Sequence, residues 1–345
     1  MNTTITARVI CVQKNLYSIL CGEMPADMHA ESVPGISGSI IDAKLKGKFY
    51  NLQLEPPVVG DYVTAEINEY GDGLISEVLP RKTVFKRPNR SGHAEAFVKN
   101  LLEETVVSNF DYVFIVTSLN QNYNENRIAR FVTLTLQAGA KPVVILSKAD
   151  LSDDVDLKVE ITKAVCEKAD VIACSSKTGF GLDTVRAYLE PGKTIALLGS
   201  SGVGKSTLLN TLSGQDLMKV NAIRDEDGKG RHTTTYRQLF QLSCGTWIMD
   251  TPGMRELGII DAEEGLEEAF SDVTSLFSQC KFSDCSHTNE PGCAVLAALA
   301  DGTLSFERWE MYAKLHTESE WGKEKMKAIA RFSRNLDKRV RRGEY

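Results

Sequence analysis

Short runs in which apolar and polar residues alternate, broken by glycine and proline, occupy the first 80 residues. A period of two marks a half-buried strand. It predicts strands at 6–12, 16–21, 48–54, 61–67 and 73–78, with a hairpin turn at 68–73 between the last two. Five such strands suit a small closed barrel of the OB type, placed over residues 1–85. The basic residues Arg81, Lys82, Lys86, Arg87 and Arg90 accompany the end of this pattern, and a basic linker is expected over 86–98.

The pattern then changes to continuous apolar runs alternating with helical periodicity. Strands are expected at 111–117, 142–147, 171–174, 194–198, 238–242 and 246–249, and helices at 125–138, 156–168, 181–189 and 205–212. Such alternation predicts an α/β domain, over 99–262, with a mainly parallel sheet covered on both faces. From 263 to 345 the chain turns helical, with helices at 264–271 or beyond, 294–301 and 305–316, and a long last helix from about 320. The expectation is therefore a multidomain protein: a β-barrel, an α/β domain and an α-helical C-terminal domain.

Composition adds limits to this picture. Apolar residues are 42% of the chain and charged residues 25%, ordinary for a globular protein. No apolar run approaches the roughly 20 residues of a membrane-spanning helix, and residues 1–6 lack the start of a signal peptide. A cytoplasmic monomer without a membrane partner is expected. The net charge of −6 argues against nucleic acid, but the last stretch is locally basic, with Lys323, Lys325, Lys327, Arg331, Arg334, Lys338, Arg339, Arg341 and Arg342. An acidic body with a basic tail can bind RNA through the tail.

The chemistry is concentrated in four segments. Gly199, Ser200, Ser201, Gly202, Val203, Gly204, Lys205, Ser206 and Thr207 run from an expected strand into an expected helix and fit the phosphate loop G-x-x-x-x-G-K-[ST]. Backbone N–H groups and the helix N-terminus would cradle phosphates, Lys205 would reach the β- and γ-phosphates, and Ser206 would ligate Mg²⁺. Asp250 and Gly253, in Asp250-Thr251-Pro252-Gly253, end another strand and suit a Mg²⁺ partner and a γ-phosphate sensor. Between them, the glycine-rich segment 228–235 holds His232, Thr233, Thr234 and Thr235. Thr234 leads among the threonines for the Mg²⁺ shell of a switch, and the other two stay open.

Ser147, Lys148, Ala149 and Asp150 resemble the guanine motif Asn-Lys-x-Asp, with Asp150 set to accept from guanine N1–H and the 2-amino group. Ser175 and Ser176, after the next strand, resemble the second guanine loop. Serine at 147 removes the amide that braces the phosphate loop, so weaker nucleotide affinity is expected. The guanine loops precede the phosphate loop, which is the order of a circularly permuted GTPase. Met254 stands where Ras-like enzymes carry a water-orienting Gln, so slow intrinsic turnover is expected. His232 is the candidate in the switch segment to orient the water. A different class, an RNA-binding scaffold with regulatory nucleotide binding, remains open on the strength of Met254.

Cys280-x₄-Cys285-x-His287-x₅-Cys293 offers three thiolates and one imidazole. A closed Cys₃His set predicts one structural Zn²⁺, whose loss should unfold the local subdomain.

Taken together, the barrel-like N-terminus, the permuted motif order, Arg231-His232-Thr233-Thr234, Asp250-Thr251-Pro252-Gly253-Met254-Arg255 and the Cys/His spacing resemble the RsgA family of ribosome small-subunit-dependent GTPases. The resemblance covers essentially the whole chain. It implies a late 30S assembly factor that contacts the 30S subunit and 16S rRNA and hydrolyses GTP to GDP there, and it also points to His232; with Lys205 and Thr234, read from their own segments, it makes up the expected catalytic set. A permuted GTPase serving the large subunit is disfavoured by the barrel and the Cys/His cluster.

Overall fold

The computed structural model describes residues 3–13, 16–22, 38–52, 54–68, 73–87, 104–120, 122–214, 238–250 and 262–341, without the side chains of residues 250, 323 and 325–341. Strands β1 (Thr3–Gln13), β2 (Leu16–Cys21), β3 (Ile40–Leu45), β4 (Tyr62–Ile67) and β5 (Gly73–Val78) close in the order β1-β2-β3-β5-β4-β1. Only β3 and β5 pair in parallel, the arrangement of an OB-like barrel. Alternate residues point inward, so Ala7, Val9, Ile19, Val63, Ala65 and Ile75 form its core. The third strand therefore lies at Ile40–Leu45 and not at 48–54. That segment instead opens with helix α1 (Gly47–Asn51), which inserts Phe49 into the barrel and leaves Tyr50 and Leu52 outside.

A short hairpin, β6 (Val84–Arg87) with β7 (Glu104–Ser108), follows the barrel. Residues 84–87 of the basic stretch are thus a strand, and residues 88–103 lie outside the described chain. Next come β8 (Tyr112–Ser118), α2 (Glu125–Gln137), β9 (Lys141–Ser147), α3 (Val155–Val165), β10 (Asp170–Ala173), α4 (Leu182–Arg186), β11 (Thr194–Leu198), α5 (Lys205–Ser213), β12 (Gln238–Gln241) and β13 (Trp247–Asp250). The sheet order is β10-β9-β8-β11-β13-β12, parallel except at the β12 edge. Side chains alternate between faces. Val113, Ile115, Val144 and Leu146 meet α2 and the C-terminal helices, whereas Phe114, Val116, Val143 and Ile145 meet α4 and α5. Burying each such side chain contributes about 1.5–3 kcal/mol.

Barrel and sheet are hydrogen-bonded into one surface, because β12 pairs with β1 at Gln238 and Cys11. A buried polar layer seals the joint. Arg8, on β1, donates to the Asn109 carbonyl (3.0 Å) and to Thr194 Oγ1 (2.8 Å), and lies over the rings of Tyr62 and Trp247. Asp61, fully buried, accepts both forks of Arg81 (2.8 Å each), the Ser108 hydroxyl (2.5 Å) and the Val58 N–H (2.8 Å). Removing one partner of such a pair strands a buried charge, at a cost of about 3–5 kcal/mol.

The C-terminal part comprises α6 (Glu263–Ala269), α7 (Ser271–Thr274), α8 (Ala294–Asp301) and α9 (Phe306–Arg341). It extends the apolar core on the α2 face of the sheet. Helix α6 touches α2 at Gly265, where a Cβ would stand 2.5 Å from the Thr133 carbonyl oxygen, and the Gly265 N–H donates to Gln137 Oε1 at 2.7 Å. Arg308 of α9 donates to four oxygen atoms: both of the Asp272 carboxylate and the carbonyls of Val165 and Ala269. Burial opposes ionisation of Asp272, but the Arg308 guanidinium outweighs it and holds that carboxyl below its ordinary range. The break expected between 316 and 320 is absent. Thr317 donates back to the Ala313 carbonyl inside one continuous helix, and the buried Ser319 hydroxyl accepts the N–H of Ala262 at 3.0 Å. Among the described residues no helix is long and apolar enough to cross a membrane.

Candidate functional site

The connections place three loops together. From β8 the chain builds outward through β9 and β10, then returns to β11 on the other side of β8. The gap between β8 and β11 is thus the topological switch point, and open α/β sheets bind ligands outside the strand ends there. The segment 199–204 leaves β11 at this point, while 147–151 leaves β9 and 174–178 leaves β10 on the same edge.

The 199–204 segment turns tightly against β8. Gly199, at φ 144, lies so close to the strand that a Cβ would sit 2.3 Å from the Val116 carbonyl oxygen; only glycine fits. Lys205 Nζ folds back to the carbonyls of Gly199 (2.7 Å) and Ser200 (2.8 Å), which closes the loop on itself. No side chain caps α5 and its first turn holds no acidic residue, so the partial positive charge of its N-terminus suits an anion. The buried Ser200 hydroxyl has no hydrogen-bond partner among the described residues. Ser201, Gly202 and Thr207 are exposed, Val203 is buried, and Gly204 and Ser206 are half-buried at the helix start.

Ser147 sits at the end of β9, and its hydroxyl lies 2.6 Å from the Val203 carbonyl and 3.2 Å from that of Thr117. The expectation that this serine leaves the loop unbraced is therefore corrected: a short side chain reaches because β9 ends beside the loop. Lys148, held at φ 57, donates from Nζ to the Gly202 carbonyl at 2.7 Å, a bond the sequence does not foreshadow. Asp150 Oδ1 accepts the Ser175 hydroxyl at 2.6 Å, and that hydroxyl oxygen accepts from the N–H groups of Lys177 and Thr178. Ala149 N–H bonds the Cys174 carbonyl at 3.1 Å, so the loops bearing Asp150 and Ser175-Ser176 form one unit.

The two remaining segments are only partly in view. Asp250 ends β13, which runs parallel to β11, with its backbone in register with Gln238. His232, Thr234, Gly253 and Met254 lie outside the described residues.

These loops would be generic for a phosphate-binding α/β fold without the order in which the chain supplies them. A family model for the RsgA GTPase matches residues 78–260. The chain belongs to the RsgA GTPase family. It is accordingly a GTP hydrolase. "Small ribosomal subunit biogenesis GTPase RsgA 1" of Listeria monocytogenes is 44% identical over 292 residues, spanning 84% of this chain and 81% of that protein. "Small ribosomal subunit biogenesis GTPase RsgA" of Methanosarcina acetivorans is 42% identical over 284 residues, 82% of this chain and 75% of that protein. The crystal structure of YjeQ from Thermotoga maritima superposes with a TM-score of 0.65 at 29% identity, covering 92% of this chain and 98% of that one. YloQ, a circularly permuted GTPase, does so at 0.63 and 24% identity over 92% of this chain and 96% of its own, a likeness of fold.

A second constellation lies in the C-terminal part. The ligand atoms of Cys280, Cys285, His287 and Cys293 lie within 4.8 Å of one another. His287 Nδ1 is 3.6 Å from Cys280 Sγ and 3.5 Å from Cys293 Sγ. The imidazole stacks on Phe277 at 4.3 Å and meets the edge of Trp309 at 5.9 Å. Burial lowers its pKa, favouring the neutral ring that a metal ligand needs. The N–H groups of Ala294 and Leu296 point at the sulfurs of Cys280 and Cys293, donors that stabilise thiolates. The spacing of four ligands is visible in the sequence; the aromatic clamp, drawn from 277 and 309, is not.

Proposed function

We propose that this chain acts in small-subunit biogenesis: it binds the 30S particle, hydrolyses GTP to GDP and phosphate there, and turns over faster on the particle than alone. Supporting this are relatives named as small ribosomal subunit biogenesis GTPases at 44% and 42% identity. The observation that carries the nucleotide half is the meeting of loops 147–151, 174–178 and 199–204 at the switch point.

In this reading Asp150 selects guanine with Ser175 and Ser176 beside it, and Lys148 and Ala149 frame the base. Residues 199–207 hold the phosphates, with Lys205 countering their charge and Gly253 touching the γ-phosphate. Ser206, Thr234 and Asp250 would hold Mg²⁺, which neutralises phosphate charge when bound. His232 orients the attacking water in place of the Gln replaced by Met254. Contact with 16S rRNA is assigned to the barrel and to α9, for a monomer in the cytoplasm.

The Cys/His cluster suits one structural Zn²⁺. With Zn–S near 2.3 Å and Zn–N near 2.0–2.1 Å, a tetrahedral shell sets sulfur and nitrogen about 3.5 Å apart. The sulfur–nitrogen distances of 3.6 and 3.5 Å fit that shell, and four protein ligands leave no open position.

Phosphate release measured with and without purified small subunits tests the proposal. The expected result is a rise of roughly 10²-fold or more, in the direction of the gains that a supplied transition-state group gives other GTPases. A rate indifferent to small subunits, or raised equally by large ones, would sink it.

Ser147 gives a second expected result. Ser147→Ala should weaken GDP binding by roughly five- to tenfold, because one hydrogen bond of about 1 kcal/mol to the Val203 carbonyl is lost. Ser147→Asn should bind like the parent. Titration with a fluorescent GDP analogue checks both; an unchanged alanine variant would show the brace to be idle.

A further inference from the structure

Four donors in the Cys/His loop converge on one carboxylate. Glu290 lies between His287 and Cys293 in the chain. Its Oε1 accepts the Ser286 N–H at 2.9 Å and the Ser286 hydroxyl; its Oε2 accepts the N–H groups of Thr288 (3.0 Å) and Asn289 (3.1 Å). Backbone N–H groups gathered in this way form an anion-binding hollow, and here the loop fills it with its own side chain. The Ser286 hydroxyl and N–H, with the Asn289 N–H, pull the Glu290 carboxyl down to about 2, so it stays charged and its hydrogen bonds are of the strong, charge-assisted kind.

What the carboxylate grips is the backbone on either side of a metal-site ligand. His287 stands at φ 60, in the left-handed region that side-chain-bearing residues rarely adopt. The N–H before it, of Ser286, and the N–H after it, of Thr288, both end on Glu290. The dihedrals that direct the imidazole are thus held from both sides, while Phe277 and Trp309 hold the ring itself.

We propose that Glu290 is a positioning residue of the metal centre, whose carboxylate fixes residues 286–289 so that His287 Nδ1 faces the sulfurs of Cys280 and Cys293 before metal arrives. The inference rests on reading Cys280, Cys285, His287 and Cys293 as a metal site. Among the described residues the hydrogen bonds of the Glu290 carboxylate go to residues 286, 288 and 289, so it acts through the backbone.

Zinc affinity of the full chain, measured by competition with a chromogenic chelator, tests it. Glu290→Ala should bind zinc about 10–100-fold more weakly, the usual loss when an outer-shell partner is removed. Glu290→Asp keeps the charge but not the reach and should also lose affinity, whereas Glu290→Gln keeps one acceptor and should fall between parent and alanine. Absorption of the Co²⁺-loaded Glu290→Ala variant at saturation should match the parent, showing the same three sulfurs and one nitrogen. An alanine variant with the parent's affinity would overturn the proposal, as would a Glu290→Asp variant equal to the parent, since charge alone would then be at work. A parent chain that takes up no zinc would overturn the metal reading and this role with it. Far-UV dichroism and GDP-analogue binding should be unchanged in every variant, so Glu290→Gln still decides the matter if Glu290→Ala fails to fold.

Discussion

Lys205→Ala is expected to abolish tight guanine-nucleotide binding and, with it, GTP hydrolysis. The ammonium holds the carbonyls of Gly199 and Ser200 together, and in the proposed complex it faces the phosphates. Losing one partner of such a desolvated charge pair costs about 2–5 kcal/mol, which is roughly 30- to several-thousand-fold in the dissociation constant. Lys205→Arg should not restore binding, because a planar guanidinium cannot fill the space of a compact ammonium. Titration with a fluorescent GDP analogue, alongside thermal melting to show that the variant folds, is the direct check. Affinity equal to the parent's would show that the phosphates lie elsewhere.

Stripping metal from the Cys/His cluster should have the second largest effect, and a more local one than the sequence suggests. Structural zinc contributes about 10–16 kcal/mol to small metal-dependent folds, and the loop from Cys280 to Cys293 has little apolar content to replace it. The remainder of the C-terminal part is anchored independently. Leu266, Phe270, Val273, Met311, Tyr312 and Leu315 share the core of the sheet domain, and Arg308 ties α9 to α3 and α6. Chelation, or Cys293→Ala, should therefore melt the loop and fray α8, whose N-terminus the Cys293 sulfur caps, while α6 and the start of α9 stay docked. Hydrogen exchange resolves the two regions. Amides at 280–296 should lose protection by orders of magnitude, and those of β8, β9 and β11 should keep theirs. Unchanged exchange across 280–296 would argue against a metal; global loss of protection would argue that the docking contacts are too weak to stand alone.

Much of this molecule is legible in its sequence because its chemistry is local. The glycine-rich loop after β11, the segments after β9 and β10, and the Cys/His cluster each occupy a short stretch with diagnostic spacing. What escapes depends on reach across space. The third barrel strand is hidden because Asp42 and Lys44 occupy its outward face, while 48–54 imitates a strand through the alternation of Tyr50, Leu52 and Leu54, residues that the structure exposes. The break expected between 316 and 320 is absent from the structure, where Ser319 is committed to Ala262, far back in the chain. Serine at 147 shows a missing amide, but only the adjacency of β9 and β11 loops shows its hydroxyl taking up the Val203 carbonyl. Glu290 belongs to no spacing rule, since its partners are backbone donors.

The placement of β8 has a consequence for how the protein is made. This strand pairs with β9 on one side and β11 on the other, and residues 119–193 separate it from the second partner. Chains emerge N-terminus first, and such non-local pairing is slow to form. A nascent chain therefore has segments 147–151 and 174–178 in hand while one edge of β8 is still open and the 199–204 loop does not yet exist. Open edges invite association with other chains. On the proposed assignment of residues 199–207 to the phosphates, nucleotide capture must wait for β11, so a bound nucleotide certifies that β8 has found its second partner.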